Sequence, residues 1–128
     1  MDNQFTLKKS ERISRKREID CLFERGEVFI SYPLRVVYVK QKPLSRAEVA
    51  VLVSVSKKKF KYAVKRNRMK RLIREAYRQN KNALIRHCRE KENGLLIAFL
   101  YIGNEMCQWK EMEIAMQKSL DTLKERIE

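Results

Sequence analysis

Glycine and proline are scarce, three and two in 128 residues, which leaves little material for flexible linkers. The length fits one domain with a modest core. Cys21, Cys88 and Cys107 are odd in number and widely spaced, with no C-x-x-C pair, so neither a disulfide framework nor a zinc site is indicated. His87 is the only histidine, and the chain has no P-loop, no G-x-G-x-x-G and no G-x-S-x-G. A Ser-His or Cys-His catalytic pair would have to use that one residue, so no self-contained enzyme chemistry is visible. No apolar run nears the roughly 18 residues of a membrane helix. The longest, 95–102, is strand-sized, and the N-terminus lacks a basic-then-apolar signal pattern. These absences point to a cytoplasmic protein with no membrane partner. A hydrophobic fraction of 44% excludes a disordered basic tail.

What the chain does have is concentrated positive charge. Residues 57–91 carry 15 of the 30 lysines and arginines and only two acids, Glu75 and Glu90. The other 93 residues are nearly balanced, with 15 bases and 14 acids. A neutral body with one cationic segment has the electrostatic footprint of a polyanion site. Ordinary solvated helix faces mix the two signs, and this one does not. A basic amphipathic helix can also lie on anionic lipid, but here the apolar face is needed to cover a sheet. Nucleic acid is the favoured partner. Without a helix-turn-helix, zinc finger or zipper pattern, and with aromatics near the basic run, RNA is favoured over DNA.

Periodicity supplies the elements. A first helix is expected over 15–24, with Ser14 as N-cap, Gly26 as a left-handed C-terminal cap, and Ile19, Leu22 and Phe23 on one face. The bases Arg12, Arg15, Lys16 and Arg17 crowd its start. Strands follow at 33–42 and 48–56. In the second, Val49, Val51, Val53 and Val55 form a core face, and Ala50, Leu52, Ser54 and Ser56 form a face that turns polar toward its end. One long helix is expected over 64–88. Met69, Leu72, Ile73, Ala76 and Tyr77 lie on its inner side; Asn67, Lys70, Arg71, Arg74, Arg78 and Lys81 lie outside. Glu75 has no base four residues on, so i,i+4 pairing leaves that face uncompensated. Asn93-Gly94 marks a turn, 95–102 a strand buried on both faces, and 107–126 a last helix with Trp109 in its core stripe. Strand, helix and buried strand imply a parallel crossover. Residues 1–9 read as a loosely held arm.

Two stretches carry a family pattern. Ser54-Val-Ser-Lys-Lys58, followed by Ala63-Val-Lys-Arg-Asn-Arg-Met-Lys-Arg-Leu-Ile-Arg-Glu75, resembles the signature of the bacterial ribonuclease P protein subunit. The resemblance spans about 110 residues. It implies an α/β (α+β) two-layer sandwich in the order helix, three strands, helix, strand, helix, with a left-handed βαβ crossover, in one domain over 1–128. It implies a protein that joins a catalytic RNA in removing the 5′ leader of precursor tRNA, the RNA and its Mg²⁺ ions performing the hydrolysis. Carried over by motif, Lys57, Lys58, Arg66, Asn67, Arg68, Lys70, Arg71, Arg74 and Arg78 would meet the catalytic RNA. Arg12, Ile19, Phe23, Tyr38, Leu52 and Ser54 would line a cleft for the unpaired leader, with no catalytic residue and no metal on the protein, which would be one monomer per RNA. Ile19 stands where many relatives carry an aromatic, and Lys59-Phe-Lys-Tyr62 lacks the glycine common after the paired lysines. The alternative function is a ribosomal-type or RNA-chaperone protein with no preference for a leader.

Overall fold

The computed structural model describes residues 9–41 and 48–127. The arm expected over 1–9 therefore lies, except for Lys9, outside the described residues. A 3-10 turn at Lys9–Glu11 leads to α1 (Lys16–Arg25), β1 (Glu27–Ser31), β2 (Leu34–Gln41) and β3 (Val49–Val55). Then come α2 (Ala63–Asn80), α3 (Asn82–Glu90), β4 (Gly94–Tyr101) and α4 (Trp109–Arg126). The sheet order is β1-β2-β4-β3, with β2 antiparallel to both neighbours and β3 parallel to β4. The connection from β3 to β4 through α2 and α3 is thus the expected parallel crossover.

Alternation along the strands divides the interior in two. Val49, Val51, Val53 and Val55 join Leu34, Val36, Leu95, Ile97 and Phe99 under the layer made by α2, α3 and α4. The opposite side chains, Val37, Ala50, Leu96 and Ala98, form a smaller cluster with Leu22 of α1 and with Ile13. β4 lies between two other strands and is covered on both faces, which is why its sequence is an unbroken apolar run. Trp109 packs at the margin of the larger cluster, as expected.

Several local expectations change. The single helix expected over 64–88 is two helices joined at Lys81. Lys81 is buried rather than displayed with the cations of the outer face, because its ammonium pairs with Glu11 at 2.7 and 2.9 Å. The N-cap position of α1 is Arg15, not Ser14, and it makes no side-chain capping bond. The turn into β4, expected at Asn93-Gly94, has Glu92 at positive φ. β1 was implied only by the resemblance, since five residues with Val28 and Ile30 exposed give little periodic signal.

Gly26 does end α1, but with φ −70 and ψ 145 it is extended, not left-handed. The constraint is space. A Cβ there would lie 2.2 Å from the Leu22 carbonyl oxygen and 2.6 Å from Val37 Cγ1. The Gly26 N–H donates to that same carbonyl at 2.9 Å, so the close approach is built into the helix end. Gly26→Ala should therefore cost on the order of 3 kcal/mol by overpacking. Thermal unfolding should show a melting temperature roughly 10 °C lower; an unchanged one would mean that α1 can shift off the sheet freely.

Candidate nucleic-acid interface

α2 separates its charges from its packing as the wheel required. Met69, Ile73, Ala76 and Tyr77 are fully enclosed, while Asn67, Arg68, Arg71 and Arg74 are exposed and Lys70 is half-buried. α2 is held against β3 and α4, so its outer face is presented on a rigid support. The turn before it is also fixed. Phe60 is buried with its ring 5.7 Å from that of Tyr101, and Lys59 Nζ donates to the Ile102 carbonyl at 2.5 Å. Lys57 and Lys58 project from this turn, exposed.

Two of the expected RNA-facing cations also work inside the protein. Arg66 Nη1 donates to the carbonyls of Phe60 and Lys61, both at 2.8 Å, tying the basic turn to the first turn of α2. Arg78 clasps Glu75, with Nε 3.1 Å from Oε2, and Gln79 donates to Oε1 at 3.0 Å. These bonds hold the Glu75 carboxyl below its ordinary pKa. Search at i,i+4 spacing missed this pair because it is formed at i,i+3. Among the described residues, Arg68, Lys70, Arg71 and Arg74 enter none of the ion pairs and form the uncompensated centre of the face.

The second surface is the sheet face under α1. In register, Val39, Leu96 and Ala50 form an inner row; Val28, Val37, Ala98 and Leu52 a middle row; Ile30, Arg35, Leu100 and Ser54 an outer row. Burial falls along β3 from Ala50, which is enclosed, through Leu52, half-buried, to Ser54, exposed. Leu22 and the half-buried Ile19 of α1 cover the inner part. Cys21 marks the inner flank of α1, where Gln41 Nε2 donates to its sulfur at 3.4 Å. Phe23 lies roughly 160° round the helix from Cys21 and is 51% exposed. Of the residues expected to line the leader groove, Phe23 and Ser54 are exposed, and Leu52 and Ile19 are half-buried against the α1–sheet cluster.

Tyr38 does not belong to this groove. It shares the phase of Leu34 and Val36 and so points into the layer of α4, where it is 4% exposed. Its ring packs edge-on against Phe29 with centroids 5.9 Å apart. Its hydroxyl donates to Glu27 Oε2 at 2.5 Å and accepts from Arg126 Nη1 at 3.2 Å. Burial, then the Glu27 bond, raise its pKa, and Arg126 opposes them. Strand period two gives the groove position to Val37, and places Arg35 on the groove floor, which the sequence reading missed. Following the phase outward from Val37 would have found it.

Arg12 joins the two surfaces. It bridges in parallel to Val51, and the Ile13 N–H donates to the Val51 carbonyl at 2.8 Å, so residues 12 and 13 run along the free edge of β3. Arg12 lies close enough to Arg74 to depress its pKa, second to the effect of burial. Among the described residues, no group of three or more His, Cys, Asp or Glu side chains is gathered that could hold a metal ion. No helix among them is long and apolar enough to cross a membrane. Cys88 is a buried thiol whose pKa is pushed up to about 11, chiefly by burial.

A family model described as Ribonuclease P matches residues 7–124. The chain is similar to the ribonuclease P protein component of Porphyromonas gingivalis, at 47% identity over 116 residues, covering 91% of this chain and 85% of that protein. It is similar to that of Chlorobium phaeobacteroides at 41% identity over 108 residues, covering 77% and 73%. Among solved structures, it resembles the RNase P protein of Staphylococcus aureus with a TM-score of 0.66 at 19% identity, over 90% of this chain and 96% of that one. The Thermotoga maritima RNase P protein gives 0.54 at 22%, over 91% of each. At these identities the structures speak for the fold, and the sequence matches speak for the family. The chain belongs to the ribonuclease P protein component family.

Proposed function

We propose that this chain is the protein subunit of a ribonuclease P ribonucleoprotein, acting in 5′ maturation of tRNA. The outer face of α2, with Lys57 and Lys58, binds the catalytic RNA through phosphate contacts. The groove between α1 and the outer row of the sheet holds the unpaired 5′ leader of precursor tRNA. Phe23 offers the stacking surface there, and Arg12 and the basic turn hold phosphates at the rim. The place of Arg12 on the free edge of β3, the strand that α2 packs against, is the observation that carries the reading, because it sets a cation between the groove and the basic face. The RNA performs the chemistry with its own Mg²⁺, and no step is assigned to a metal on this chain. The protein raises affinity for leader-bearing substrate and screens repulsion between the two RNAs. It does so as one monomer per RNA, in the cytoplasm.

The test is binding of precursor and mature tRNA to the catalytic RNA, with and without this chain, at low Mg²⁺. The chain should tighten precursor binding selectively, and Phe23→Ala should remove roughly tenfold of that gain, the worth of about one stacked base. Equal tightening of both tRNAs would instead identify a general RNA-binding chaperone and dismiss the leader groove.

A further inference from the structure

The groove floor carries a single charge. Among the described residues, Arg35 is the only ionisable side chain that the four strands turn toward α1. Its phase is fixed by Leu34 and Val36, both fully buried on the opposite face. In register it lies between Ile30, 65% exposed, and Leu100, with Ser54 one strand beyond. None of the ion pairs among the described residues involves Arg35.

An arginine in that position places a demand on any occupant. Covering an apolar floor with a ligand strips water from the guanidinium, which is unfavourable unless the ligand returns hydrogen-bond acceptors at that point. Two parts of a single RNA strand could supply them. Phosphates are drawn to the rim, where Lys57, Lys58 and Arg12 stand exposed. Bases are drawn to the floor, because their faces bury against Ile30, Leu100 and Phe23. The group that reaches Arg35 is therefore a base edge.

We propose that Arg35 is a specificity-determining residue that reads one leader nucleobase, a guanine. The guanine O6 and N7 are two adjacent acceptors that match the guanidinium fork. Adenine has the same size but puts an amino donor beside N7, and uracil sets an N–H between its carbonyls. Cytosine has an acceptor pair in O2 and N3, but only one ring to cover the floor, so it ranks second. This inference rests on the leader-groove reading, and it adds to that reading a residue and a base.

The experiment uses the reconstituted holoenzyme and precursor tRNAs with an all-adenine leader into which one guanine is walked position by position. The wild-type protein should show one position where guanine binds roughly tenfold tighter than adenine, the low end of what a bidentate arginine–guanine pair provides. Arg35→Ala should abolish that preference, so that guanine and adenine at that position bind alike. Arg35→Lys keeps the charge without the fork and should not restore it. Circular dichroism and catalytic-RNA affinity should match wild type for both variants, since Arg35 is exposed and lies off α2. A guanine preference that survives Arg35→Ala overturns the proposal. So does an equal weakening of every leader with a shallower salt dependence, which is the mark of a phosphate contact. If wild type shows no guanine preference yet still separates precursor from mature tRNA, the inference fails and the groove stands. If it does not separate them, the groove reading fails as well.

Discussion

Replacing Arg68 and Arg71 together with alanine should weaken binding of the catalytic RNA by roughly two orders of magnitude at moderate salt. Both side chains are exposed on α2, while Met69 and Ile73 beside them hold the helix to the core. The fold should therefore survive, with the circular-dichroism spectrum and melting temperature unchanged. The loss is electrostatic, and salt dependence shows it. With about six phosphates neutralised, log K should fall against log salt with a slope near −4 to −5, at roughly −0.7 to −0.9 per contact. Removing two contacts should lower the magnitude of that slope by about 1.5. An affinity loss with an unchanged slope would mean that these arginines act through shape rather than charge. Arg66→Ala makes a useful contrast. Its bonds to the Phe60 and Lys61 carbonyls brace the turn that displays Lys57 and Lys58, so its loss should also reduce thermal stability.

The basic face was legible because it is a local property. A 3.6-residue period read along one helix separates Ile73 from Arg74 without knowing what either meets. The valine face of β3 and the doubly buried β4 were legible for the same reason. The resemblance to a known family supplied what periodicity could not, namely β1 and the order of the elements. What escaped was set by contacts distant in sequence. Lys81 looks like one more surface cation until Glu11, 70 residues earlier, closes on it. Tyr38 looks like a stacking aromatic until Phe29 and Arg126 enclose it. In both cases an amphipathic side chain was assigned to solvent or ligand when the fold provided a partner. Gly26 is subtler. Its position at the end of α1 was correct, but the reason is the crowding by Val37 rather than handedness.

Lys81→Met should be among the most destabilising single substitutions outside the apolar core. The Glu11–Lys81 pair has side chains 10% and 3% exposed, and both carboxylate oxygens accept from the ammonium. Removing the ammonium takes a buried ion-pair partner from the Glu11 carboxylate, at a cost of about 3–5 kcal/mol. The Tyr77 hydroxyl is buried with no hydrogen-bond partner among the described residues, and burial followed by Glu11 drives its pKa well up. That surrounding is a poor one for a carboxylate that has lost an ion-pair partner. The melting temperature should fall by 10 °C or more. Adding Glu11→Gln to Lys81→Met should recover a large part of the loss, because the amide is neutral, and the double-mutant cycle measures the coupling directly. The functional consequence follows from topology. Glu11 precedes Arg12, which lies on the edge of β3 and beside Arg74, so the pair pins the segment that joins the groove to the α2 face. In Lys81→Met, selective tightening of precursor tRNA should therefore suffer more than affinity for the catalytic RNA, which rests on residues that α2 still presents. Equal losses in both would show that the pair supports the whole domain and not that segment in particular.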